Sequence, residues 1–229
     1  AAGAVGVTSV VTTTATITTA KVGAAVTITE SGIEASGIGI TVASINGGNI
    51  GGRRNLIING AMNVAQRGPQ GTNSYTTAAY GAIDRYKLEA YQTDEASVTI
   101  SQEATASSDE PYKAGFRHAL KISVNTAESG SLDTMEGMWM SQRIEAQNLA
   151  HLRNGHGSAL PVTLSFYVRS YQTGTYAVNI YKPDNSARLA VRNFTVNAQN
   201  TWEKKVITFV GDTAGGGIDF NNDSGFIIS

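Results

Sequence analysis

Val162-Thr163-Leu164-Ser165-Phe166-Tyr167-Val168-Arg169 alternates without a break. Val162, Leu164, Phe166 and Val168 fall on one side, and Thr163, Ser165, Tyr167 and Arg169 on the other. Successive side chains of an extended chain point to opposite faces, so a period of two predicts a β-strand with one apolar face. Worked outward, the same rule recurs. Tyr86 and Leu88 stand against Arg85, Lys87 and Glu89; Val98/Ile100, Leu120/Ile122/Val124, Tyr176/Val178/Ile180, Leu189/Val191 and Val206/Thr208/Val210 continue it. Turn formers separate these runs: Thr173-Gly174, Pro183-Asp184-Asn185, the polar stretch 197–200 and Gly215-Gly216-Gly217. Strand-like runs punctuated this way favour an antiparallel β-sandwich over a βαβ sheet. One interruption, residues 142–153 with Ile144, Leu149 and Leu152, predicts a short helix stopped by Gly155. Gly225-Phe226-Ile227-Ile228 reads as a strand cut short at Ser229, so further strands are expected beyond it.

Composition changes sharply near Gly51-Gly52. Before that point the only charged residues are Lys21, Glu30 and Glu34, aromatic residues, Leu and Met are missing, and 29 of the first 52 residues are Thr, Gly or Ala. Short period-two pieces remain, at Val5/Val7, Ala15/Ile17, Val26/Ile28 and Ile38/Ile40/Val42, with Gly23, Gly32, Gly37 and Gly47-Gly48 as turn positions. Such a segment is poorly equipped to build its own core. Burying a Val or Ile yields roughly 1.5–3 kcal/mol, while ordering each residue costs on the order of 1–2 kcal/mol. Either the segment is disordered, or its strands pair with copies from other chains. Disorder is usually accompanied by high charge and few β-branched residues, and this segment shows the reverse. Intermolecular winding is therefore the expectation for residues 1–52, with a globular β domain over residues 53–229.

The composition also excludes classes. With no cysteine, disulfides and thiolate-bound metals are ruled out. No apolar run approaches the roughly 18 residues of a membrane span. A near balance of 17 basic and 18 acidic side chains leaves no basic footprint for a nucleic acid. Ala1-Ala2-Gly3-Ala4 lacks the basic and apolar regions of a signal peptide, and the missing initial Met suggests a processed or longer product. Nucleophile-elbow, zinc-protease and phosphate-loop patterns do not occur. The chain is expected to be no enzyme and to need no cofactor.

The stretch Gly51-Gly52-Arg53-Arg54-Asn55-Leu56-Ile57-Ile58-Asn59-Gly60-Ala61-Met62-Asn63-Val64-Ala65-Gln66-Arg67-Gly68 resembles the junction of tail-fibre-like structural proteins of tailed bacteriophages, notably marine phages of cyanobacteria. Later blocks follow in the order found in that group: Ile83-Asp84-Arg85-Tyr86, Ser141-Gln142-Arg143-Ile144-Glu145-Ala146-Gln147-Asn148-Leu149, Leu164-Ser165-Phe166-Tyr167-Val168-Arg169-Ser170, Gly174-Thr175-Tyr176 and Thr201-Trp202-Glu203-Lys204-Lys205. The similarity covers about residues 51–210. It implies a non-enzymatic virion component, homotrimeric, with a β shaft over residues 1–52 and a jelly-roll sandwich similar to carbohydrate-binding modules. Implied partners are sister chains, other virion proteins of tail or capsid, and a host cell-surface glycan. A fibre or docking protein attached to capsid or neck, with no receptor binding, is the alternative.

Candidate sites follow from residue types. Residues 55–68 would form the trimer junction, with Arg53 and Arg54 pairing to a neighbour's carboxylates and Asn55, Gln66 and Arg67 beside them; the bland reading is a first strand turning at Asn59-Gly60 in a type I′ pair, and a solvated loop for Gln66-Arg67. Sugar recognition needs aromatic faces for ring C–H surfaces and polar groups for hydroxyls. Trp139, Tyr167, Tyr171 and Tyr181 are the outward-facing candidates, accompanied by Asn179, Arg169 and Asp184, whereas Trp202 is expected to pack. His118, His151 and His156 read as solvated, and Asp219-Phe220-Asn221-Asn222-Asp223-Ser224-Gly225 as an Asn/Asp turn, its calcium-loop spacing being imperfect. No metal site is expected.

Overall fold

A computed structural model describes residues 19–22, 26–29, 32–35, 55–68, 70–72, 76–91, 96–128, 130 and 136–229. The chain divides into two compact units, 1–54 and 55–229. In the first, β1 (Thr19–Val22), β2 (Val26–Thr29) and β3 (Gly32–Ala35) form an antiparallel meander within one chain. Val22 pairs with Val26 and Thr29 with Gly32, so Gly32 opens a strand instead of forming the expected turn. The expected pieces at Val5/Val7, Ala15/Ile17 and Ile38/Ile40/Val42 lie outside the described residues, as do Arg53 and Arg54.

The second unit is antiparallel β throughout, with one short helical turn and one 3₁₀ helix among the described residues. Its strands are β4 (Gln70–Thr72), β5 (Thr76–Tyr80), β6 (Tyr86–Tyr91), β7 (Ser97–Ala104), β8 (His118–Thr126), β9 (Gly137–Glu145), β10 (Val162–Val168), β11 (Gly174–Lys182), β12 (Arg188–Val196), β13 (Glu203–Phe209) and β14 (Ser224–Ile228). A six-stranded sheet runs β12-β11-β14-β9-β6-β5, and two smaller sheets, β4-β7-β8 and β10-β13, complete the set. Both small sheets cover the same face of the large one. Ile144, Val178, Ile180 and Phe226 of the large sheet meet Phe209, Val162, Leu164 and Ile207 of β10-β13. Ala82, Leu88 and Met138 meet Val98, Ile100 and Leu120 of the β7–β8 pair. Leu88 lies opposite Met140, and Met138, Met140 and Ile144 share the even-numbered side of β9, so one sheet face carries the whole apolar filling.

Three expectations are corrected. Residues 142–145 are strand, and the helical part starts only at Ala146, as a 3₁₀ helix (Ala146–Leu152). Ala146, Leu149 and Leu152 are its buried residues; a three-residue spacing aligns them in 3₁₀ geometry, where side chains at i and i+3 eclipse. In β13 the phase is the opposite of Val206/Thr208/Val210: Val206 is 62% exposed, while Ile207 and Phe209 face Leu164 and Val162. Each of Ile and Phe removes more apolar area from water on burial than a valine or a threonine does. The inward phase also carries Glu203 and Lys205, which neutralise each other at 2.6 Å. Leu189, Val191, Ile122 and Val124 alternate as expected yet are exposed, because no layer among the described residues covers them. As expected, Gly225-Phe226-Ile227-Ile228 is strand, and it lies inside the large sheet, between β9 and β11. Gly225 is required there, since a Cβ would sit 2.6 Å from Ala146 Cα.

Candidate functional site

The pairing of β6 with β9 builds a polar ladder on the open face of the large sheet. Lys87 lies opposite Ser141 and Glu89 opposite Trp139, each on the side away from Leu88 and Met140. Glu89 is the hub. Its Oε1 accepts from Lys87 Nζ at 2.8 Å, and its Oε2 accepts from Ser141 Oγ at 2.6 Å and Trp139 Nε1 at 3.2 Å. Arg143 Nη2 stands 3.9 Å from Oε1. Burial by itself would raise the pKa of this carboxyl. The hydrogen bonds from Lys87 and Ser141, the lysine's charge and the indole N–H outweigh it and hold Glu89 below the usual carboxylate range. Trp139 is thereby tethered by its polar edge while 40% of it stays in solvent. Its ring lies over Gly137, where a Cβ would be 3.4 Å from Cζ3.

Beside this ladder opens a groove of about 400 Å³ lined by Arg67, Tyr80, Asp84, Arg85, Arg143, Glu145, Asn222 and Ser224. Its walls come from four places in the chain. Arg67 follows a turn at 58–61 in which Met62 N–H donates to Asn59 O. Asn59 has φ 56°, whereas Gly60 is not in the left-handed region, so the turn is not the expected type I′ pair. The Asn59 amide instead clasps the chain, donating to Val64 O and Asp84 O and accepting from Val64 N–H. Arg85, at φ 77°, sits in the tight link between β5 and β6 closed by Tyr86 N–H on Ile83 O. Backbone held there is strained for a non-glycine residue, and it aims the side chain into the groove. Arg143 and Glu145 stand on the open side of β9, opposite Ile227 and Ser224 of β14. Contacts among these groups are long: Arg85 Nη2 to Glu145 Oε1 is 4.0 Å and Arg143 Nη1 to Ser224 Oγ is 3.3 Å.

The proposed junction stretch is part of the sandwich. Leu56 and Ile57 pack on the main core, and buried Gln142 accepts from Ile58 N–H and donates to Ile58 O, each at 2.8 Å. Asn55 is exposed, its Oδ1 accepting from Ile57 N–H, and Gln66 N–H donates to Asp84 Oδ1. The expected sugar residues are not gathered in one place. Trp139 and Tyr181 share the open face, Tyr181 lying between Ile227 and Leu189. Tyr181 is level with Arg143, four residues along β9 from Trp139, a separation of roughly 13 Å along the strand. Tyr167 belongs to another sheet, opposite Lys204 and 5.9 Å from the Phe116 ring centre, and Tyr171 lies exposed in the following loop. Arg169 lies over the Trp202 ring at 4.8 Å. Asn179 exchanges backbone hydrogen bonds with Ser229, and Asp184 accepts from Asp219 N–H. The sequence places Lys87 and Glu89 on the outward face but does not reveal Ser141 and Arg143 as their neighbours, because strand pairing across about 50 residues leaves no local mark. His118 contacts Asn63 and His156 contacts Ser158; among the described residues no cluster of metal-ligating side chains occurs.

Comparison with known proteins brings no match from family models, curated sequences or solved structures.

Proposed function

We propose that the chain is a structural subunit of a bacteriophage tail fibre or similar virion appendage, a homotrimer that contributes to host attachment through the open face of its sandwich. The assembly part rests on the ordered blocks of residues 51–210 and on the low-charge N-terminal unit. Its four-residue strands come from a stretch with no aromatic, Leu or Met side chain to fill a core, and association with sister copies would complete them into a shaft. A jelly-roll course for the sandwich belongs to the same proposal. The observation that carries the attachment part is Trp139, an aromatic plate tethered by Glu89 and 40% exposed on the sheet face opposite the core, beside a polar groove. Large aromatics usually pack inward; one fixed in solvent suits a sugar ring. Three such faces on one particle would turn weak contacts into firm adhesion.

Light scattering of the full chain tests assembly: three times the 24.0 kDa chain mass is expected, and a dominant monomer would refute it. Binding to a glycan array and to host cells tests attachment. Trp139→Ala should abolish retention while leaving the particle mass unchanged, and undiminished binding by that variant would remove Trp139 from the site. The purely structural alternative is favoured by the outer face of the β10–β13 pair, where Val206 stands exposed beside the Thr163–Thr208 contact. Capture of tail or capsid proteins with no glycan retained would support it.

A further inference from the structure

The groove beside Trp139 has a charge pattern that a neutral sugar does not need. Three guanidiniums, from Arg67, Arg85 and Arg143, share it with two carboxylates, Asp84 and Glu145. The third carboxylate nearby, Glu89, is already matched by Lys87 at 2.8 Å. One positive charge is therefore left over. Arg67 makes no ion pair or hydrogen bond among the described residues, and the Arg85–Glu145 and Arg143–Glu89 contacts, at 4.0 and 3.9 Å, are too long for tight pairing. These guanidiniums are positioned yet weakly engaged, with donor capacity to spare. Tyr80, exposed on β5, supplies an aromatic ring in the same wall, and Asn222 and Ser224 supply an amide and a hydroxyl.

We infer that this groove binds the carboxylate of an acidic saccharide, a uronic acid residue in a surface polysaccharide. This deepens the attachment reading above and rests on it. A planar guanidinium matches a carboxylate through two parallel N–H···O bonds. The single surplus charge suits a monoanion; a phosphate monoester, near two negative charges, would leave the groove net negative. Tyr80 would stack on the sugar ring, Asn222 and Ser224 would bond its hydroxyls, and Trp139 would hold the neighbouring sugar.

The test uses the full chain on an array of uronate-bearing glycans and the same glycans with each carboxyl reduced to an alcohol. Uronate-bearing members should bind roughly tenfold to a hundredfold more tightly than their reduced forms. Arg67→Ala, a surface change, should erase that difference. Arg143→Lys keeps the charge but loses the fork geometry, and should narrow the difference severalfold. Equal binding of acidic and reduced members would overturn the carboxylate inference while the attachment reading stands. No binding to any member would overturn both. Displacement of a bound uronate by inorganic phosphate at equal concentration would also overturn it, marking the groove as a general anion site.

Discussion

The two faces of the six-stranded sheet are written by the same strands in strict alternation, yet they are built on opposite principles. On β14, Phe226 points inward into the main core and its neighbour Ile227 points outward beside Tyr181 and Arg143. On β9, Ile144 is buried against the core, whereas on the opposite face Trp139 and Arg143, both partly exposed, and the buried Ser141 meet Glu89. The inner face is held by area removed from water, which is insensitive to the identity of each contact provided volume is kept. The outer face is held by directed polar contacts, which fix the attitude of an aromatic ring without adding much to stability. A side chain on one face can therefore be read for folding, and one on the other for the surface it presents.

The comparison is broken most directly at β14. Phe226→Ala should cost about 3–5 kcal/mol in urea unfolding, and a loss below about 1 kcal/mol would show that the filled face is not the one described. Gln142→Leu comes next. It deprives Ile58 of two part-buried hydrogen bonds to a buried amide, and a loss of about 1–3 kcal/mol is expected from chemical denaturation.

A pH effect separates charge from area. Glu203 accepts from Lys205, whose hydrogen bond is the largest influence, and from the backbone of Ala198 and Asn197, which together lower its pKa from 4.5 to about 2. A carboxyl depressed in the folded state contributes stability that is fully present above its unfolded pKa. That contribution fades as pH falls from about 4.5 through about 2. Thermal melts of Glu203→Gln should therefore show a shallower acid decline than the parent chain across that window. Parallel acid limbs would mean that Glu203 is not held as described. The smallest effect should come from an adjacent pair in β13: Ile207→Thr should cost about 1–3 kcal/mol and Val206→Thr no more than about 0.5 kcal/mol. The reverse order would restore the phase suggested by Val206, Thr208 and Val210.

That last pair shows where local pattern ends. Val162, Leu164, Phe166 and Val168 could be assigned to one face because the alternate positions hold Thr, Ser, Tyr and Arg. In Glu203-Lys204-Lys205-Val206-Ile207-Thr208-Phe209-Val210 both phases contain apolar residues, and the choice falls to the partner strand: Val162 and Leu164 stand opposite Phe209 and Ile207. Leu189 and Val191 likewise alternate like core residues, although both are exposed. Of the site, the outward set of Lys87 and Glu89 and the aromatic Trp139 could be read in advance. The groove could not, since Arg67, Arg85, Arg143 and Ser224 converge from segments as much as 157 positions apart.

What the chain's order of residues determined by itself is its period: extended strands, turn positions, the compositional break near Gly51-Gly52, and the lack of groups for thiolate chemistry. These are short-range matters, decided by steric preference and by polar or apolar character within a few residues. Only the tertiary structure decided which phase of each strand lies inward, which sheet is covered, and which charges share a groove. Those outcomes depend on competing burial and pairing between distant segments, and that competition is settled only when the layers meet.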